Sequence, residues 1–266
     1  MSNERFRLHL HRTGEALRPA ALTLLLVAAA SVAAAQQRTP AAASAGRAKG
    51  IMTKVFAATG GKALASMRDI TESVTETSFL PQGTMKYEME IVYGRPGRVL
   101  LKTKMAFGEV ISGYDRKTGW TKNPMGVQKM NPLQLADMKM TVARNLYHLL
   151  QSFNGPEYEL SYLGRDRIGG RTVDVVRAFH RSTKTSVTLS VDAQSSLVLK
   201  KVSQRRGESG LVDFIDEYAD YREVKGVEVP FKTTTSTGGE KVAETVVHVV
   251  KINSGLSGKS FSRPEK

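Results

Sequence analysis

The chain has no cysteine, which excludes disulfides, thiolate metal sites and lipid attachment through an N-terminal cysteine. Histidine is also sparse, at five in 266 residues. His148 sits in a helical stretch, while His180 and His248 lie near the ends of separate strands. That spacing makes no ligand motif, so neither a metal nor another cofactor is expected, and His148 is read as a helix-surface or lid residue. Enzyme motifs are missing as well: no H-E-x-x-H, G-x-S-x-G or G-x-G-x-x-G occurs. "NSGLSGKS" at 253–260 fails the P-loop pattern because Asn253 stands where its first glycine belongs. No enzyme is expected. Long apolar runs are absent too, since Ala20 to Ala30 falls short of the roughly 20 residues of a membrane span.

What is present begins with a leader. Arg5, Arg7, Arg12 and Arg18 precede the run containing "LTLLLVAAA", and small residues end at Ala33, Ala34 and Ala35. This order reads as a secretory signal peptide over residues 1–35, cleaved near Ala35 to release an exported protein with no membrane anchor. Losing four basic and two acidic side chains takes the formal charge from +14 to +12. Behind a signal peptide, the anionic partners of such a chain are lipid head groups, lipopolysaccharide or a membrane surface rather than nucleic acid. A charge spread evenly for solubility is the alternative, because no run of five Lys/Arg occurs.

Residues 36–46, "QQRTPAAASAG", read as a flexible lead-in, and 47–262 as one domain. Ile51, Val55, Phe56, Leu64 and Met67 recur at helical spacing around a break at Gly60-Gly61. The period then changes to two. In "TMKYEMEIVYG", Tyr87, Met89, Ile91 and Tyr93 alternate with Lys86, Glu88 and Glu90, the pattern of a strand with one wet face. "RVLLKTKM", "GEVISGY" and "WTKN" continue as strands, with Asp115 to Gly119 as a hairpin turn before Trp120, read as a core or pocket-rim residue.

One or two helices follow, opened by Asn131 as N-cap and Pro132 at the first helical position, with Leu135, Met138, Val142, Leu146, Leu149 and Leu150 at helical spacing. Seven more strands run from "EYELSYLG" to "KVAETVVHVVKIN". The fold class is therefore mainly β with inserted helices (α+β): a large curved antiparallel sheet forming an open, incomplete β-barrel covered by helices. In "DFIDEYADY", Asp213, Asp216, Glu217 and Asp220 are read as the wet face of a strand whose packed face carries Phe214, Ile215, Tyr218 and Tyr221. A hydrolase using these acids as a catalytic pair is the competing account.

Five segments in this order carry a family resemblance: "GYDRKTGW" (113–120), "IGGRTVDVV" (168–176), "VTLSVDAQSSLVLKK" (187–201), "DYREVKGVEVPF" (220–231) and "VVKINSGLSGKSF" (249–261). Together they span most of residues 50–261 and resemble the periplasmic lipoprotein-carrier superfamily, the LolA/LolB-like proteins, especially the outer-membrane lipoprotein-sorting branch. The resemblance implies a periplasmic carrier or sensor without covalent chemistry. Its open barrel would hold acylated lipid or lipoprotein cargo and make transient contact with an envelope membrane or an outer-membrane acceptor. Burial of an acyl chain gains about 0.8 kcal/mol per methylene, so such cargo needs an apolar cavity in water. Candidate wall residues are Tyr87, Met89, Ile91, Val99, Leu101, Met105 and Trp120, with Met138 on a lid; methionines suit ligands of variable shape. For each of these, ordinary core packing is the alternative. The alternative function is a noncatalytic envelope assembly module acting through protein contacts.

Overall fold

A computed structural model describes residues 40–265 apart from 107, 208 and 209. The signal peptide expected over 1–35 lies outside these residues. Helix α1 spans Pro40–Ala58 and α2 Lys62–Ser66. The break between them falls at Gly60 and Gly61, both at positive φ, a conformation glycine adopts without steric cost. A Cβ on Gly60 would also stand 2.5 Å from the Gly226 carbonyl oxygen.

The lead-in expected as flexible is helical from Pro40 onward. Proline suits the first helical turn and alanine is the best helix former, so "PAAASA" begins the helix. Ala48, Met52 and Val55, at i, i+4 and i+7, are fully buried. Ser44 ties the helix to the sheet: its hydroxyl donates to the Tyr162 carbonyl (3.0 Å) and accepts from the Tyr162 N–H (2.9 Å).

The sheet has thirteen antiparallel strands: β1 Asp69–Leu80, β2 Gly83–Gly94, β3 Arg98–Met105, β4 Gly108–Tyr114, β5 Gly119–Asn123, β6 Gly126–Lys129, β7 Tyr158–Ile168, β8 Arg171–His180, β9 Thr185–Asp192, β10 Val198–Gly207, β11 Gly210–Val224, β12 Val227–Thr237 and β13 Glu240–Ile252. Two strands were missing from the sequence reading, β1 and the short β6. β1 is the pivot of the fold. The order is β6-β5-β4-β3-β2-β1-β13-β12-β11-β10-β9-β8-β7, so β1 pairs with β13 and welds two meanders into one surface. The two edges, β6 and β7, do not pair with each other, and the barrel stays open as expected.

Between those edges run α3 (Pro132–Ala143) and α4 (Leu146–Ser152). Asn131 and Gln134 form the capping box of α3 around Pro132, and the Asn145 side chain caps α4. α3 packs against β3 and β5 of one meander and β10 of the other, which requires the sheet to curl around it. The main core fills that concave face, with Tyr93, Val99, Leu146, Leu149, Val176, Leu189 and Val247 among its buried members.

Candidate functional site

Strand register decides which residues share a wall, because directly opposed residues point to the same face. Glu76 faces Tyr87, Val74 faces Met89 and Glu72 faces Ile91 across β1 and β2. Met89 then faces Thr103, Ile91 faces Leu101 and Tyr93 faces Val99 across β2 and β3. Tyr93 reaches His148 of α4, so this is the face the helices cover. Tyr87, Met89, Ile91, Val99, Leu101 and Met105 therefore lie on one inner face. Met138 of α3 is buried in the core that fills it.

Trp120 does not join them. It lies on the opposite face in a small second core with Val92, Leu100 and Phe261, where its indole N–H donates to the Phe261 carbonyl at 2.9 Å. The parity of β5 is the reason: Gly119 faces Tyr114 on the inner side, so the next residue points outward. Gly113 makes room for the ring, since a Cβ there would stand 2.3 Å from Trp120 Cε2. The hairpin before it is held by Asp115, whose carboxylate accepts from the N–H groups of Lys117 (2.8 Å) and Thr118 (2.7 Å).

The inner face is not uniformly apolar. A cavity of about 230 Å³ is lined by Val74, Ile91, Leu146 and Val247, but also by Glu72, Glu76, Lys201, Arg205 and Asp216. Asp216 corrects the sequence reading: expected on the wet side of β11, it is 3 % exposed and faces Lys201 across β10 and Thr235 across β12. Its carboxylate receives Arg205 Nη2 at 2.5 and 2.6 Å, Lys201 Nζ at 3.1 Å and the Thr235 hydroxyl at 2.9 Å. Burial alone would raise this carboxyl; Lys201, Arg205 and the hydrogen bonds outweigh it and hold it at about 2. The Arg205 guanidinium also stacks on Phe214, 4.6 Å from the ring centre.

Arg144 stands behind this group, pushed down to about 10 by burial and by the Arg205 charge. Two buried atoms here have no hydrogen-bond partner among the described residues, Ser203 Oγ and Arg205 Nε. On the far wall Glu72 accepts from the Tyr147 hydroxyl at 3.0 Å. With no cation paired to it among the described residues, burial pushes its carboxyl up to about 7 despite that hydrogen bond.

The histidines also depart from expectation. His148 is buried, not on the helix surface, and meets His180, also buried. His248 stays apart, 2.8 Å from the Thr75 hydroxyl on the outer face. Desolvation lowers both buried imidazoles below the ordinary histidine value, against the raising effect of Glu157. Sequence reasoning could not find this pairing, because it depends on α4 lying across the start of β7 and the end of β8.

The sequence matches no protein-family model and no curated protein. Its fold does match solved structures. One is described as an outer membrane lipoprotein-sorting protein domain from Vibrio parahaemolyticus, at 14% identity and TM-score 0.58, covering 82% of this chain and 97% of that one. A LolA superfamily protein from Nitrosomonas europaea matches at 13% identity and TM-score 0.57, covering 81% and 97%. A DUF1329 family protein from Desulfovibrio piger matches at 11% identity and TM-score 0.57, covering 81% and 97%. The chain thus has the fold of the LolA-like, lipoprotein-sorting structures, as the sequence segments implied.

Proposed function

We propose that this protein is a periplasmic carrier that holds an acylated lipid or lipoprotein on the inner face of its open sheet, with the acyl chain on the apolar wall and the polar head against the charged one. The observation behind this reading is the division of that face. Met89, Ile91 and Leu101 are only partly buried against the core, while Lys201, Arg205 and Asp216 line the same cavity as Ile91. An amphiphile satisfies both halves; a bare hydrocarbon satisfies one. The cavity's 230 Å³ is below the roughly 300–1,000 Å³ of most small-ligand sites, so cargo enters by displacing α4, whose Leu146 and Tyr147 line it, together with the preceding α3. That helix is tied to β10 by the partly exposed Arg206–Asp137 pair at 3.0 Å, a bond of the kind that contributes about 0–1 kcal/mol.

The test is incubation of the purified protein with vesicles of phosphatidylethanolamine and phosphatidylglycerol, separation from the vesicles, and native mass spectrometry. One lipid per chain is expected, lost in Met89→Asp and Leu101→Glu while the circular dichroism spectrum is kept. No adduct, or an adduct indifferent to both substitutions, would overturn the proposal.

A further inference from the structure

Another cavity, of about 470 Å³, shares no lining residue with the charged one and contains a different chemistry. His148 of α4, Glu157 just before β7 and His180 at the end of β8 each bring one ligand atom within 4.8 Å of the other two. Their backbone positions are fixed independently. Asn145 caps α4 through the His148 N–H (2.9 Å), Tyr158 pairs with His180 in register, and Arg181 N–H donates to the Glu157 carbonyl (2.9 Å).

The imidazoles are oriented as well. His148 Nδ1 lies 3.1 Å from the Tyr93 hydroxyl and His180 Nδ1 lies 2.8 Å from the Thr183 hydroxyl. The Tyr158 ring packs against both, with centroids 6.2 Å from His148 and 4.9 Å from His180. His180 Nδ1 also accepts from the Thr183 N–H at 3.3 Å, so Nε2 is the remaining nitrogen of each ring. His148 Nε2 is already 3.0 Å from a Glu157 oxygen.

We propose that His148, His180 and Glu157 bind a divalent transition-metal ion, best matched by zinc, with a fourth coordination position open to the cavity. Zinc takes imidazole nitrogen and carboxylate oxygen at about 2.0–2.2 Å, which puts tetrahedral ligand atoms roughly 3.3 Å apart. The three ligand atoms lie within 4.8 Å of one another, with His148 and Glu157 at 3.0 Å, and the set adjusts to that value through Glu157, the most exposed of the three side chains. Calcium and magnesium prefer all-oxygen sets and are disfavoured by two imidazoles. A hydroxyl oxygen on the second imidazole nitrogen can play the orienting part that carboxylates, carbonyls and water play for metal-binding histidines. Arg116, Lys139 and Arg181 line the same cavity. Their charge weakens the site for a bare cation and favours an anion at the open position. The site does not depend on the carrier reading.

The test uses the full chain, stripped with EDTA and titrated with zinc alone, with bound metal measured by mass spectrometry and geometry by the visible absorption of the cobalt-substituted protein. The triad is expected to take one ion in a tetrahedral site. Glu157→Gln, at an exposed position, should weaken that ion by more than the roughly 10–100-fold typical of losing an outer partner. His180→Gln should remove it. Absence of stoichiometric zinc, or zinc unaffected by Glu157→Gln and therefore held by other histidines, would overturn the assignment.

Discussion

Replacing Glu72 by Gln should stabilise the protein at pH 8 and change little at pH 4. In the folded chain this carboxyl sits at about 7 against an ordinary 4.5. Because the folded state holds the proton more tightly than the unfolded state, stability falls as pH rises from 4.5 through 7 and the carboxylate is forced to ionise inside the cavity. The full shift corresponds to about 3 kcal/mol at 1.36 kcal/mol per unit. Glu72 lines a cavity that opens to solvent, and water there reduces the penalty, so about 2 kcal/mol is the working figure. Gln keeps an oxygen to accept the Tyr147 hydroxyl and never ionises.

For a domain of this size 1 kcal/mol moves Tm by about 2–4 °C, so the variant should melt about 4–8 °C above the parent at pH 8. Thermal melts of both proteins from pH 4 to pH 8 in one buffer series would measure it. A difference that stays constant across that range, or a variant that melts lower at pH 8, would show that ionised Glu72 has a favourable partner and that the argument from burial is wrong.

Asp216→Asn should act in the opposite direction, costing about 3 kcal/mol in chemical denaturation at pH 7, since it leaves the buried Lys201 and the half-buried Arg205 beside each other without their carboxylate. Burial already lowers Lys201, so the loss should shrink in alkaline buffer as that amine gives up its proton; a loss independent of pH would contradict this. Gly113→Ala drives a Cβ to 2.3 Å from the Trp120 ring. It should cost about 1–3 kcal/mol and shift the emission of the single tryptophan to the red, whereas an unchanged spectrum would mean that the ring does not rest on Gly113.

The architecture was legible where alternation was clean. Tyr87, Met89 and Ile91 announce β2, and Asn131-Pro132 announces α3, because the local pattern and the fold agree there. β1 was illegible for a physical reason: its inner-facing positions run Ile70, Glu72, Val74, Glu76, so carboxylates interrupt the apolar period on the side that faces the core. Asp216 misled for the same reason, as an acid on the buried face whose partners lie on other strands. Trp120 did leave a trace, in Gly113, the small residue that register sets opposite the large one. Reading it requires knowing the pairing first.

The charged wall is a poor choice for stability alone. Replacing a buried ion-pair group by well-packed apolar residues is often neutral or favourable by about 1–4 kcal/mol, and each unsatisfied buried polar atom costs about 1–3 kcal/mol. Ser203 Oγ and Arg205 Nε bear that cost here. Arg205 already gives one nitrogen to Asp216, so its Nε needs an acceptor from outside the pair, and the Ser203 hydroxyl is served by the same kind of oxygen. On the proposed carrier reading, a head group that supplies an acceptor oxygen to Arg205 would recover that cost. On the same reading, the apolar wall from Met89 to Leu101 offers no such discrimination among acyl chains, and selection of the cargo would fall to Lys201 and Arg205, which line the cavity.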